Sequence, residues 1–164
     1  MNDAHYHLLV NHFPIIGTTI GLGILLAGLV LKKKSLQTTA FVLFIIAAIA
    51  SFLSMYTGDG AEDLVEDMPS IGHRIIHEHE ELAEKFTLVM YALGLFSILS
   101  IFLQIKKHPF AKFSTYVVLA LSIVAAFLGK EVGTSGGEIR HTEIRTTETS
   151  SQSQSQEASE KDSD

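Results

Sequence analysis

Four long apolar stretches constrain the fold more than any other feature of the sequence. They lie at residues 13–31, 39–56, 86–105 and 113–130. Each is close to the ~20 residues that a helix needs to cross the ~30 Å hydrocarbon layer of a bilayer. A single apolar run also fits a buried helix of a soluble protein, but four in succession favour a membrane protein. We therefore predict an all-α fold, an integral membrane four-helix bundle.

The polar parts of the chain set the limits of this domain. Hydrophobic residues make up 47% of the 164 residues, and they are concentrated in the four stretches. Residues 146–164 are rich in Ser, Thr, Gln and Glu without hydrophobic periodicity, which predicts a disordered tail. Residues 1–145 then form one four-span membrane domain. The start of the chain lacks a basic region, so no cleavable signal peptide is predicted.

Short polar residues, glycine and proline predict the helix ends in the first half of the chain. Asn11 is placed to cap the first span, and the glycines of residues 57–60 are suited to end the second. Asp59 is then expected to cap a short extracytoplasmic amphipathic helix over residues 61–68, which Pro69 ends.

The same signals predict the helix ends in the second half. Ser70 is suited to cap a helix that continues from about residue 71 through 105. After the fourth span, the glycines of residues 133–137 predict a break. The reversal at these glycines is expected to fold Arg140 and His141 back over the outer mouth of the bundle.

Small residues in the first span predict a close helix contact. Gly17 and Gly21 form a small-x-x-x-small pair, which lets two helix backbones approach each other. The alternative interpretation is that a flat cofactor edge lies against this glycine face.

The lysines predict the orientation of the bundle. Residues 32–34 are all lysine, and Lys106, Lys107 and Lys112 lie between the third and fourth spans. Neither connection contains Asp or Glu, and all 18 acidic residues lie elsewhere. By the positive-inside rule both connections are cytoplasmic and both termini are extracytoplasmic, in a bacterial inner membrane.

Composition excludes several classes of function. The chain has no cysteine, which excludes disulfides, thiolate metal sites and c-type haem attachment. Its formal net charge of −6 is not compensated by a basic stripe, so a nucleic-acid partner is not expected. The lipid bilayer is the expected partner.

The histidines are the candidate functional residues, because none of the 8 lies in the interior of a predicted span. His73, His77 and His79 precede the third span, and helical phase divides them. His79 lies on the same stripe as the apolar residues Ile75 and Phe86 and is predicted to face inward. His73 and His77 lie on the other side and are predicted to face solvent.

The depth of each histidine in the membrane determines which of them can lie beside His79. His12 is nearest to the hydrocarbon, and an ionisable residue there is a functional candidate. Counted from the cytoplasmic lysines in untilted helices, His79 stands about 12 Å higher than His12. Helix tilt or a shifted boundary removes much of this mismatch. Otherwise His5 or His7 is the better partner for His79.

Three ligand chemistries fit these residues and remain open. Two neutral imidazoles facing each other in a bundle can ligate haem b. A cluster of His12, His77, His79 and Glu80 can instead bind zinc, copper or iron. The third alternative is no cofactor, with His and Glu forming a pH-responsive polar cap. No H-E-x-x-H motif is present, so a zinc protease is not expected.

The order of several short motifs resembles a family. The motifs are His12-Phe13-Pro14, Thr57-Gly58, His79-Glu80-Glu81-x-Ala83 and Gly133-x-x-Gly136-Gly137. Over about residues 7–145 the chain resembles bacterial four-span predicted membrane proteins of unknown function, whose first span opens with His-Phe-Pro. That family is distantly similar to the b-type cytochrome membrane bundles.

This resemblance implies a haem site that uses His12, His79 and His141. Cytochromes b place histidines at two depths, whereas this chain has none in the cytoplasmic half of its spans. At most one haem near the outer surface is therefore expected, and transmembrane electron transfer by this chain alone is not. The expected role is a redox or metal-handling subunit, without enzyme activity of its own, in a respiratory or redox complex. The alternative is a structural or accessory membrane protein.

Overall fold

The computed structural model describes residues 2–64 and 73–145, and in these ranges the chain folds only into helices and their connections. This confirms the predicted all-α fold. The elements are α1 (Asp3–Val10), α2 (His12–Val30), α3 (Lys34–Glu62), α4 (His73–Ile105), α5 (Ala111–Arg140) and a 3₁₀ turn (Thr142–Ile144). The predicted disordered tail, residues 146–164, lies outside the described residues, as does the Ser70 cap.

Four of the helices form a closed bundle. The helix that includes α1 and α2, and each of α3, α4 and α5, is long and apolar enough to cross a membrane. Consecutive helices pack against each other, α5 returns to α2, and α1 lies mainly on α3. This up-and-down order brings the two lysine connections, residues 31–34 and 106–112, to one end. We call this the lysine end, and the opposite end, with α1 and the start of α4, the histidine end.

The interior of the bundle is tightly packed and the outside is apolar. Phe41, Phe44, Met90 and Leu93 are fully buried in the core. Serine and threonine side chains are buried between the helices: Thr18, Ser51, Thr87, Ser97, Ser100, Ser114, Thr115 and Ser122. Large apolar side chains are exposed along every helix of the bundle. Small and polar residues inside with apolar residues outside are typical of helices that associate in a bilayer.

The glycine face of α2 packs against α3, as the close-packing interpretation predicts. A Cβ atom built on Gly21 would lie 2.5 Å from the ring of Phe44. On Gly17 it would lie 3.1 Å from the Cβ of Ala47. Because α3 occupies this face, the alternative that placed a flat cofactor edge there has no room.

Glycines that were expected to end α3 serve as contact points instead. α3 continues through residues 57–60 to Glu62, so the predicted end at Thr57–Gly60 is wrong, and Asp59 lies inside the helix rather than at a cap. A Cβ on Gly60 would meet the carboxylate of Asp3 at 2.6 Å, and one on Gly58 would touch the ring of His7. The missing side chains therefore let α1 lie on α3. Of the predicted short helix, residues 61–62 belong to α3 and residues 65–68 lie outside the described part.

The predicted break at residues 133–137 is also wrong, because α5 runs without interruption to Arg140. These glycines again make close contacts: Gly136 faces the ring of His79, and Gly137 faces Ile144. No glycine in the described residues adopts a positive φ. The glycines thus allow helix packing rather than a turn.

The start of the first span differs from the prediction because another helix precedes it. Asn11 has helical backbone angles and its side chain makes no cap hydrogen bond, so it is not an N-cap. Its N–H donates to the carbonyl of His7 at 2.9 Å, which joins α1 almost continuously to α2. α1 itself was not predicted, and it is the element that carries His5 and His7.

Candidate functional site

The histidine end brings polar side chains together from separate helices. His7 of α1 contacts the backbone and side chains of α3 around Ser54 and Thr57. His79 of α4 contacts Ser135 of α5. The two imidazoles are close enough that charge on His7 affects the titration of His79. All five residues lie towards the ends of the predicted spans rather than at their centres.

His79 faces into the bundle, as its helical phase predicts. Ile75 and Phe86, which define the apolar stripe of α4, are 4% and 3% exposed. His79 is partly buried on the same stripe, whereas His73 and His77 are exposed. The division of the histidine cluster into one inward and two outward residues is therefore confirmed.

A hydrogen bond between α4 and α5 holds the ring of His79. Its Nδ1 lies 2.9 Å from the Ser135 hydroxyl. The same hydroxyl lies 3.1 Å from the carbonyl of Val132, and when it donates its one hydrogen there it accepts from His79. In that arrangement Nδ1 of His79 carries the proton, and Nε2 of the neutral ring keeps its lone pair. A Cβ on Gly136 would lie 2.9 Å from Cε1 of His79, so glycine is what gives the ring its room.

The tautomer of His7 is determined by a backbone carbonyl. Its Nδ1 lies 3.0 Å from the backbone carbonyl of Ser54, which accepts and cannot donate. The hydroxyl of Thr57 lies 3.4 Å from the same nitrogen. Nδ1 of His7 therefore donates, and Nε2 is the nitrogen with the lone pair. A histidine that donates one N–H to a carbonyl in this way is oriented to ligate through the other nitrogen.

Burial keeps both rings neutral. It lowers the pKa of His79 to about 4, and the charge of His7 acts in the same direction. Burial is also the largest cause that lowers the pKa of His7, with a smaller contribution from His12, while the Ser54 carbonyl opposes the shift. At neutral pH the site thus presents two uncharged imidazoles, which is the form that binds a metal.

His12 occupies a different position. It is exposed at the end of α2, on an apolar groove of about 270 Å³ between α2 and α3. Ile16 and Ile20 of α2 and Ile46 of α3 line the same groove. Its imidazole influences the titration of His7 but faces outward from the bundle. The depth argument gave His5 or His7 as the alternative partner of His79, and this pairing stays a prediction.

The remaining predicted site residues are dispersed. His77 is exposed and lies 3.8 Å from Glu80 and 3.5 Å from Glu81 along its own helix. His141 is exposed, and its Nδ1 lies 2.9 Å from Glu143. Their role as ligands stays a prediction. Ser54, Ser135 and the packing role of Gly136 gave no signal in the sequence.

Glu80 belongs to a second polar contact at this end, between α4 and α3. Its carboxyl group shares a hydrogen bond with that of Glu62, so one of the two holds a proton. This hydrogen bond is the largest cause that raises the pKa of Glu62 to about 7, and the neighbouring Asp59 and Asp63 contribute. The pair therefore changes its charge near neutral pH.

This carboxyl pair makes stability depend on pH. The folded protein keeps a proton that the unfolded chain releases above Glu62's ordinary pKa of 4.5, so stability falls between pH 4.5 and about 7. We expect Glu62→Gln to raise the unfolding temperature at about pH 8 and to leave it unchanged near pH 4.5. Thermal unfolding in detergent at both pH values measures the difference. Glu84→Gln, an exposed control on α4 with the same charge change, should show no such pH dependence.

Comparisons with known proteins give no identification: no family model, curated protein or solved structure matches the chain. Within residues 2–64 and 73–145, no three His, Asp or Glu side chains are placed to hold one metal ion together. The resemblance to the four-span family and to b-type cytochromes therefore stays an expectation.

Proposed function

We propose that this protein is a multi-pass protein of a bacterial inner membrane that binds one haem b at its histidine end through His7 and His79. The lysine end faces the cytoplasm, and the haem lies near the extracytoplasmic surface. The protein acts as a redox subunit that exchanges electrons with partner proteins of a respiratory or redox complex. A single metal ion in a metal-handling subunit is the alternative ligand within the same site.

The observation that carries this proposal is the matched state of the two imidazoles. Burial favours the neutral form of both, and both are held through Nδ1, His7 by the Ser54 carbonyl and His79 by the Ser135 hydroxyl, so that Nε2 of each ring is the nitrogen left for a ligand. Haem brings its own equatorial nitrogens and takes its axial ligands from the protein, so two histidines from different helices suit it. The preference for His7 over His12 rests on the same geometry, since His12 faces an outward groove.

The chain holds both rings against neighbouring helices, and Gly136 and Gly58 give the imidazoles of His79 and His7 the room to pack there. When bound, a haem supplies one-electron transfer at its iron. The chain's own residues hold the two rings: Ser135 accepts from His79, and the Ser54 carbonyl accepts from His7. These hydrogen bonds fix ring orientation and increase the basicity of Nε2.

The direct experiment is the absorption spectrum and metal content of the protein purified from membranes in mild detergent. The proposal expects a Soret band and one iron per chain. Iron, zinc or copper without a Soret band would support the metal-handling alternative. A folded, colourless and metal-free protein would contradict both.

The second candidate function is an accessory membrane protein with a pH-responsive cap and no cofactor. The Glu62–Glu80 pair supports it, because the charge of this contact between α3 and α4 changes near pH 7. In that case the purified protein is colourless and its stability still shows the Glu62-dependent change with pH. The two candidates thus differ in cofactor content, not in the pH effect.

A further inference from the structure

The lysine end contains a cavity that the proposed haem site does not use. It has a volume of about 570 Å³ and lies between the connection of α2 to α3 and that of α4 to α5. Lys32 and Lys34 of the first connection and Lys107 and Lys112 of the second line it. Four lysines from two separate connections thus border one cavity.

No carboxylate near these connections in sequence balances the charge. Residues 4–58 and 86–130, which include both connections and the adjoining halves of all four helices, contain no Asp or Glu. The other polar side chains that line the cavity carry no carboxylate and can donate hydrogen bonds: Gln37, Gln104, His108, Thr115 and Tyr116. The cavity is therefore suited to an anion that accepts several hydrogen bonds.

Two of these lysines adopt an unusual backbone conformation. Lys32 and Lys107 have φ angles of 53° and 51°, the only positive values for non-glycine residues in the described chain. They occupy equivalent positions just beyond α2 and α4. Both turns show the Schellman pattern, with 2.9 Å hydrogen bonds from Lys33 N to the carbonyl of Gly28 and from His108 N to that of Leu103.

The backbone conformation of Lys32 and Lys107 favours glycine, because glycine has no Cβ to clash in the left-handed region. In both turns the position carries a lysine instead, and each of these lysines lines the cavity. A strained conformation at a cavity is a reason to look for a ligand. It also supplies a test, because glycine at these positions removes the charge without disturbing the turn.

The apolar surface beside the cavity indicates the kind of anion. Tyr116 lines the cavity, and Phe113 next to Lys112 is 68% exposed on the outside of α5. Aromatic residues beside lysines are typical of the membrane–water interface. An anion with attached acyl chains can therefore place its phosphate among the lysines and its chains along the exposed apolar side.

We propose that this cavity binds the phosphate headgroup of an anionic phospholipid. Basic pockets at the cytoplasmic ends of membrane helices suit such headgroups. The inference rests on the membrane insertion in the proposed function but not on the haem site. If the protein were not a membrane protein, it would stay in solution without detergent, which is a separate observation from the lipid experiment below.

The experiment measures stabilisation of the full-length protein in neutral detergent by phosphatidylglycerol, with phosphatidylcholine as the uncharged comparison. We expect phosphatidylglycerol alone to raise the unfolding temperature, because it binds the folded state. In the double variant Lys32→Gly with Lys107→Gly, the unfolding temperature without lipid should be equal or higher, since glycine relieves the left-handed strain. Its affinity for phosphatidylglycerol should fall by about five-fold for each lysine removed.

The matched control is Lys33→Ala with Lys106→Ala, which removes two charges from the same connections but not from the cavity lining. It should keep nearly wild-type affinity. An equal loss in this control would overturn the proposal in favour of diffuse surface charge. Equal stabilisation by phosphatidylcholine would also overturn it, as would equal stabilisation by soluble glycerol phosphate at the same concentration, which would identify a free phosphate ester as the ligand.

Discussion

Under the proposed function, His79→Ala protein is expected to lose haem almost completely, by at least about tenfold in haem per chain. His79 is the inward histidine of α4 and, in that proposal, one of the two haem ligands. His77→Ala is the matched control, because it removes an exposed imidazole two residues away on the same helix. It should retain wild-type haem. The Soret absorbance per mole of purified protein measures both variants.

Ser135→Ala separates ligation from folding at this site. The substitution leaves the imidazole of His79 in place and removes only the acceptor of its Nδ1–H bond. Loss of such a supporting hydrogen bond is expected to weaken cofactor affinity by about 10–100-fold without removing a ligand. Full haem content in both His79→Ala and Ser135→Ala would show that His79 is not a ligand.

Gly21→Leu is expected to have the largest effect on stability, lowering the free energy of unfolding by about 3 kcal/mol. A Cβ at this position would already lie 2.5 Å from the ring of Phe44, which is fully buried in the core. The side chain would force α2 and α3 apart along the face where they pack. Thermal or denaturant unfolding in detergent measures the loss.

Gly23→Leu provides the control for this prediction. Gly23 lies on the outside of the same helix, and a Cβ there would meet nothing within 4 Å. The same substitution should therefore change stability by less than about 0.5 kcal/mol. Similar stability of the Gly21 and Gly23 variants would mean that α2 does not pack on α3 as described.

The sequence was sufficient to predict the bundle and the inward direction of His79. Apolar length predicts the four long helices, and the positions of Ile75 and Phe86 set the face of α4 that is buried. Both depend on periodicity within one element, which a single sequence contains. The close contact at Gly21 was predictable for the same reason.

The predictions that were wrong concern residues that make contacts between helices. The sequence pattern predicts helix ends at Gly58, Gly60 and Gly136, but each of these glycines provides space for a side chain of another helix. A glycine that allows packing and one that ends a helix look alike when the neighbouring helix is not known. The hydrogen bonds of His7 and His79 connect residues 47 and 56 positions apart in the chain, and no local pattern predicts them.

The choice between His7 and His12 tests the proposed site most directly. Haem content, measured by the Soret absorbance per mole of protein purified from membranes, should be largely lost in His7→Ala and retained in His12→Ala. Thermal unfolding should first show that both variants are folded. The result that would contradict the account is a folded His7→Ala protein with full haem beside a His12→Ala protein that has lost it.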